Sequence, residues 1–257
     1  MSEHRDDIEF KEIERQKKTR KKKNYLVRIL VFFACLAAVA LFLSSSFFDI
    51  QNIEVEGNKY YTDGEVINLA DATLGVNLFW EAGDSQIKEN LGKNPYFSDV
   101  KVKRKLPSTL VIELKERAQI AAIVYGDKYV VIDEEGTVLR KSEVDPKVTL
   151  LTGLTINKLN VGETVGAEET STLETTLKML ASMKEGDIYF KKIDVSRVVI
   201  KAYIYDTLIV KGTPKQMMKA IDSGKLQIVV NDLFKKDITR GTINLGDHKY
   251  LSFSPGI

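Results

Sequence analysis

Two histidines, His4 and His248, and one cysteine, Cys35, are all that this chain of 257 residues offers to imidazole or thiol chemistry. His4 lies in a charged N-terminal tail, Cys35 in an apolar run, and His248 just after the turn Gly246-Asp247. A triad needs a base beside its nucleophile and a structural metal needs several converging ligands, so neither a histidine triad nor a His-rich metal site is expected. A single cysteine excludes an intramolecular disulfide. Carboxylates are plentiful, but pairs such as Asp133/Glu134 sit in a glycine-containing stretch that reads as a solvated turn. No glycine-rich phosphate loop, nucleophile elbow or HExxH pattern occurs. The expectation is no catalytic residue, no metal and no cofactor, with a carboxylate-only, membrane-anchored hydrolase as the weakest alternative.

What must then be positioned is a binding surface, and the first determinant of its position is the N-terminal third. Ile29–Phe48 reads ILVFFACLAAVALFLSSSFF, twenty residues without a charge. At 1.5 Å per residue such a helix would cover about 30 Å, the hydrocarbon thickness of a bilayer. Twelve of these residues are Leu, Ile, Val or Phe, an insertion free energy of at most about 4 to 7 kcal/mol. Residues 1–28 carry ten Lys/Arg against six Asp/Glu, and Lys17, Lys18, Arg20, Lys21, Lys22, Lys23 and Arg28 immediately precede the run. Positive charge favours the cytoplasmic side, so the reading is a type II single-pass protein with everything after Phe48 outside. Ser44–Ser46 make a weak cleavage site, and an uncleaved anchor is preferred to a signal peptide. Glu9, Glu12 and Glu14 interleave with the basic residues and no aromatic lies within the run, which argues for a topology signal over nucleic-acid binding.

Beyond the span, Ile50, Ile53 and Val55 lead to the corner Gly57-Asn58 and read as a strand. Thr62 followed by Glu65 has capping-box spacing before Val66, Leu69 and Ala70. A second short helix is expected from Asp84 to Leu91, stopped by Gly92. Val100 and Val102, then Leu110, Ile112 and Leu114, alternate on either side of Pro107 as a hairpin with one buried face. The order strand, helix, helix, strand, strand over about seventy residues suggests two helices on one face of a three-stranded sheet.

Ile53-Glu54-Val55-Glu56-Gly57-Asn58, Gly75-Val76-Asn77-Leu78, Asn94-Pro95-Tyr96-Phe97, Val100, Val102, Arg104, Pro107 and Glu116-Arg117 together resemble the POTRA domain of the FtsQ/DivIB family of bacterial cell-division proteins. The layout of basic tail, single span, POTRA domain and a further segment is also similar to that family. The expected fold is α+β: cytoplasmic tail 1–28, transmembrane helix 29–48, POTRA domain 49–117, a mixed, mainly β domain with two helices over 118–254, and a tail 255–257. In the second domain, strands are read at 120–124, 129–132, 138–139, 150–154, 193–195, 198–205, 207–211, 238–245 and 250–253. Helices are read from Thr170 or Ser171 and from Thr213-Pro214, the latter weakened at Gly224.

The resemblance implies a nonenzymatic membrane scaffold of the division machinery, enriched at the septum. Its implied partners are FtsB/DivIC-like and FtsL-like proteins, linked through it to septal peptidoglycan synthesis. It also implies docking on the C-terminal strands, here Arg240, Thr242, Ile243, Leu245, Lys249, Tyr250, Leu251, Ser252 and Phe253. Asn244-Leu245-Gly246 departs from the family's acidic-Leu-Arg pattern. Arg104, Glu116 and Arg117 form the corresponding candidate recruitment surface on the POTRA domain; an ion pair at the domain junction is the plain structural reading of the last two. No nucleic acid or small-molecule substrate is expected. The other reading weighed is a POTRA-type chaperone of a secretion or assembly system, for which neither repeated modules nor barrel strands are present in the sequence.

Overall fold

The computed structural model describes residues 25–184, 187–246 and 251–256. It is mixed α+β, as the sequence pattern predicts. The described residues divide into two compact units: one holds those up to Glu56 with Asp63–Ile87 and Lys101–Glu113, the other Gly57–Thr62, Lys88–Val100 and those from Leu114.

The first unit begins with α1 (Tyr25–Leu43), a 19-residue helix of mean hydropathy 2.8 with none of its apolar window buried, the one described helix long and apolar enough to cross a membrane. It starts four residues before the apolar run and ends five residues short of Phe48. The serines explain the early end: Ser44 turns its hydroxyl back onto the Ala40 carbonyl at 2.9 Å, and such local bonding competes with helix continuation. Ser46–Phe48 form a 3-10 turn in which Phe48 is buried.

A three-stranded sheet follows in the order β1-β3-β2, with β1 (Asn52–Glu56), β2 (Phe97–Lys105) and β3 (Thr109–Glu116). β1 runs parallel to β3, Ile53 opposite Leu110 and Val55 opposite Ile112. The position of β3 corrects the expectation of one buried face: as the middle strand it buries Leu110, Val111 and Ile112 in succession, whereas Val100 and Val102 on the outer β2 are only half-buried. α2 (Asp63–Ala70) starts directly after Thr62 and buries Val66 and Ala70, one turn apart, while Leu69 stays 43% exposed. α3 (Asp84–Gly92) takes Gly92 in as its last residue instead of stopping before it; Lys93 and Asn94 then close the turn onto Asn90 and Leu91 carbonyls. Gly57 and Gly75 both adopt positive φ at the corners, as the pattern required.

The second unit contains a nine-stranded sheet in the order β14-β13-β12-β11-β10-β7-β4-β5-β6. Its strands are β4 (Ala121–Tyr125), β5 (Lys128–Ile132), β6 (Val138–Ser142), β7 (Thr149–Thr152), β10 (Lys192–Asp194), β11 (Ile200–Tyr203), β12 (Leu208–Gly212), β13 (Gly241–Leu245) and β14 (Leu251–Pro255). A two-stranded sheet of β8 (Ile156–Lys158) and β9 (Gly166–Ala167) lies outside it and is too short to announce itself in the sequence. On one face Ile123, Ile132, Leu151, Ile193, Ala202, Val210 and Ile243 belong to a continuous core. The helices α4 (Thr170–Ser182), α5 (Pro214–Asp222) and α6 (Lys225–Lys235) supply its other half with Leu173, Leu177, Met217, Ile221, Leu226 and Val230. On the other face of β4 and β5, Ala122 and Val131 join Leu139 in a small second cluster. Burial on both faces explains why these strands read as solid apolar runs without alternation.

The helix count differs from the sequence reading, which has two helices here with the second weakened at Gly224. Gly224 instead adopts the left-handed conformation, φ +68°, donates to the Ile221 carbonyl and becomes the N-cap of α6. One weakened helix is two. Residues 1–24 of the expected cytoplasmic tail, Asp247 of the expected turn Gly246-Asp247 and Ile257 of the expected C-terminal tail lie outside the described residues.

Candidate functional site

The C-terminal strands divide into an interior and an edge. β13 is flanked on both sides, running parallel to β12 and antiparallel to β14. Ile243 is fully buried in the core and Leu245 packs against it, so these two residues hold the sheet together from inside. Thr242 and Asn244 alternate onto the opposite face, both half-buried, and Arg240 precedes the strand in an exposed position. β14 is the terminal strand, paired with β13 from Leu251 opposite Leu245 to Pro255 opposite Gly241. Leu251 and Phe253 turn toward the core and Ser252 and Ser254 away from it. Lys249 and Tyr250, the two remaining candidates on this stretch, lie outside the described residues.

The seat of Phe253 depends on Gly241. A Cβ at that position would come 2.5 Å from the Phe253 ring, and its φ of +140° is one that L side chains rarely adopt. Glycine therefore lets the ring of the edge strand lie directly over the neighbouring backbone. The opposite end of the sheet is built differently. Val138 of β6 donates to the Glu163 carbonyl at 2.9 Å and accepts from the Gly162 amide at 2.8 Å, and Thr137 bridges Thr164. A loop thus pairs with the start of β6, whereas β14 has no further strand beyond it among the described residues.

The three POTRA-surface candidates are already engaged within the chain. Arg104 donates through Nε to the Leu78 carbonyl at 2.7 Å and pairs with Asp84 at 2.8 Å. Glu116 and Arg117, adjacent in sequence, do not pair with one another. The Glu116 carboxylate accepts the backbone N–H groups of Tyr60 and Tyr61 at 2.8 and 3.0 Å and is 9% exposed. Arg117 reaches Asp133, Glu135 at 2.7 Å and the Thr137 hydroxyl at 3.3 Å. Its backbone N–H donates to the Tyr96 carbonyl. Burial works against the charge on Arg117, yet hydrogen bonds and Coulomb attraction from Glu135 and Asp133 win and raise its pKa. The same guanidinium lowers the pKa of Glu135.

Asp133 corrects the reading of a solvated acidic turn. It is 2% exposed, and its second oxygen accepts the N–H groups of Glu135 and Thr137 at 3.0 and 2.7 Å. Glu134 beside it points out and lies 3.9 Å from Lys115. Tyr96, singled out in the sequence only as part of Asn94-Pro95-Tyr96-Phe97, packs against the Ala122-Val131-Leu139 cluster. Burial raises the Tyr96 pKa, with Arg140 opposing the shift. An apolar-flanked tyrosine directly after Asn94-Pro95 was the available signal. Among the described residues no group of three or more His, Cys, Asp or Glu side chains converges to hold a metal.

Residues 48–117 match the sequence model described as the POTRA domain, FtsQ-type. The chain is 29% identical over 227 residues to the cell division protein DivIB of Clostridium botulinum strain Hall, covering 85% of this chain and 88% of that one. It is 27% identical over 201 residues to DivIB of Clostridium acetobutylicum, covering 77% and 80%, and 24% identical over 207 residues to DivIB of Bacillus subtilis strain 168, covering 80% and 74%.

Over most of its length the chain is similar to cell division proteins named DivIB.

Together with α1, these similarities support a membrane-anchored division protein. All three POTRA-surface candidates fall inside the FtsQ-type match, and the β14 edge lies beyond it.

Proposed function

We propose that this FtsQ/DivIB-type protein is a nonenzymatic scaffold that takes a strand of an FtsB/DivIC-like partner onto β14, and with it an FtsL-like protein, outside the cell membrane. In this role it couples the division machinery to septal peptidoglycan synthesis. The observation that carries the reading is the asymmetry of the nine-stranded sheet: a loop pairs with the start of β6 at Val138, and among the described residues no strand lies beyond β14. An uncovered edge presents N–H and C=O groups that a partner strand can pair, with side-chain pockets adding selectivity. Ser252 and Ser254 leave one face of that edge polar, while Leu251 and Phe253 keep it attached to the core.

The decisive experiment removes the edge without removing the interior strand. Truncation after Asp237 would delete β13 and with it the buried Ile243, and would unfold the sheet along with any site. Truncation after Gly246 deletes β14 alone. Co-purification from membranes with an FtsB/DivIC-like protein should fall at least ten-fold, about 1.4 kcal/mol, while denaturant unfolding of the truncated chain stays cooperative. Retained co-purification by a folded, β14-less chain would reject the edge.

A further inference from the structure

Asn77 and Trp80 tie the folded part of the first unit to the end of α1. The Asn77 side chain, 8% exposed, donates to the Leu43 carbonyl at 3.0 Å and accepts the Phe79 amide at 3.0 Å. Leu43 is the last residue of α1, and its carbonyl is one of the four that a helix leaves without an intrahelical donor. The Trp80 indole N–H donates to the Ser44 hydroxyl at 3.1 Å, which in turn donates to Ala40 inside the helix. Phe48 stacks edge-on with Phe42 of α1 and with Phe79, each at 5.3 Å, and the Leu78 amide donates to the Phe48 carbonyl. The helix end and residues 77–80 are therefore one hydrogen-bonded, ring-packed piece.

Two large rings on this piece are nonetheless uncovered: Trp80 is 61% exposed and Phe47 is 59% exposed. Their height is set by α1. Nineteen residues at 1.5 Å make about 28 Å, close to the hydrocarbon thickness, so with α1 in the bilayer Leu43 and Ser44 lie at its outer boundary. Tyr25, 67% exposed, marks the other boundary. Tryptophan favours this zone because its ring is apolar while its N–H needs a polar partner.

We propose that Trp80, with Phe47, is a lipid-interface anchor: the 77–80 segment rests in the outer headgroup–acyl boundary and holds the first unit at a fixed depth on the membrane. The proposal rests on the reading of α1 as a transmembrane helix. The ligand is the glycerol and carbonyl layer of the lipid itself.

Trp80 is the only tryptophan in the chain, so the fluorescence of the full-length protein reports this site alone. The protein is reconstituted into phosphatidylcholine/phosphatidylglycerol vesicles, and insertion is scored separately by flotation after carbonate washing. In floated vesicles the emission should be blue-shifted, quenched more strongly by phosphatidylcholine brominated near the headgroup than near the chain end, and several-fold less sensitive to iodide than free tryptophan amide. A Trp80→Phe, Phe47→Trp double variant should report the same depth, and Asn77→Ala should raise iodide quenching by loosening the clamp. A floated protein with iodide-accessible Trp80 and no bromolipid quenching overturns the anchor but leaves α1 as a span. Protein that does not float overturns both.

Discussion

Arg117 is the residue on which most of the charged network around β4 and β5 turns. Its 22% exposed side chain faces a 3% exposed Asp133 carboxylate, and removing one member of such a pair leaves the other buried without its counter-charge. Arg117→Ala should therefore cost about 2 to 4 kcal/mol, read by denaturant unfolding of the full chain in detergent, whereas Glu134→Ala should cost under about 0.5 kcal/mol. The lowered pKa of Glu135 has a defined sign. The contribution of its pair with Arg117 is complete above the ordinary carboxyl value of 4.5 and is lost as pH falls through the depressed folded value. Its side chain is 63% exposed, so solvent screens the effect; Glu135→Gln should only slightly flatten the acid limb of the stability curve, and high salt should produce the same flattening. Glu116-Arg117 was visible in the sequence as a charged pair, but their partners lie 55 and 16 residues away and in opposite directions along the chain. Residue type announces that a charge needs a partner and says nothing about which distant turn supplies it.

Helices with strong local signals stood where the sequence put them. Thr213-Pro214 begins α5 with a complete capping box, Thr213 accepting the Gln216 amide at 3.3 Å and the Gln216 side chain accepting the Thr213 amide at 2.8 Å. Thr213→Ala should lower stability by about 1 kcal/mol, and Thr213→Ser should restore most of it, in the same unfolding assay. The elements that were misread depended on something other than local pattern. Gly92 reads as a helix stop and Gly224 as a weak point inside one helix, yet Gly92 ends inside α3 and Gly224, at φ +68°, separates α5 from α6. β8 and β9, with three and two residues, carry too few positions for an alternation to be seen. The alternation of β14 was legible, but its place at the end of the sheet was not, because strand order is a property of pairings between segments remote in sequence. At that edge, Gly241→Val should push Phe253 off the β13 backbone. Protection of β14 amides in hydrogen exchange should fall while that of β10 and β11 amides stays unchanged.

At the scale of the whole molecule, everything proposed for β14 and Trp80 requires that both stand on the outer side of the membrane. The sequence settles a preference through one feature, the seven Lys/Arg between Lys17 and Arg28, because the charge after them is close to balanced and long folded segments contribute little to orientation. Replacing Lys17, Lys18, Arg20, Lys21, Lys22 and Lys23 with glutamine removes six of those seven charges without touching α1. A reporter cysteine at Ser252, in a Cys35→Ser background so that no other thiol is present, distinguishes the two orientations by labelling intact cells with a membrane-impermeant maleimide. With the basic residues intact, the reporter should label before lysis nearly as well as after it. With the six glutamines, which leave Arg5, Lys11, Arg15 and Arg28 against six Asp/Glu, a large fraction of the inserted protein should label only after lysis. Labelling that stays complete in both forms would mean that orientation is fixed by the folded units or by their partners. Labelling that requires lysis in both would put β14 on the wrong face for any extracytoplasmic docking.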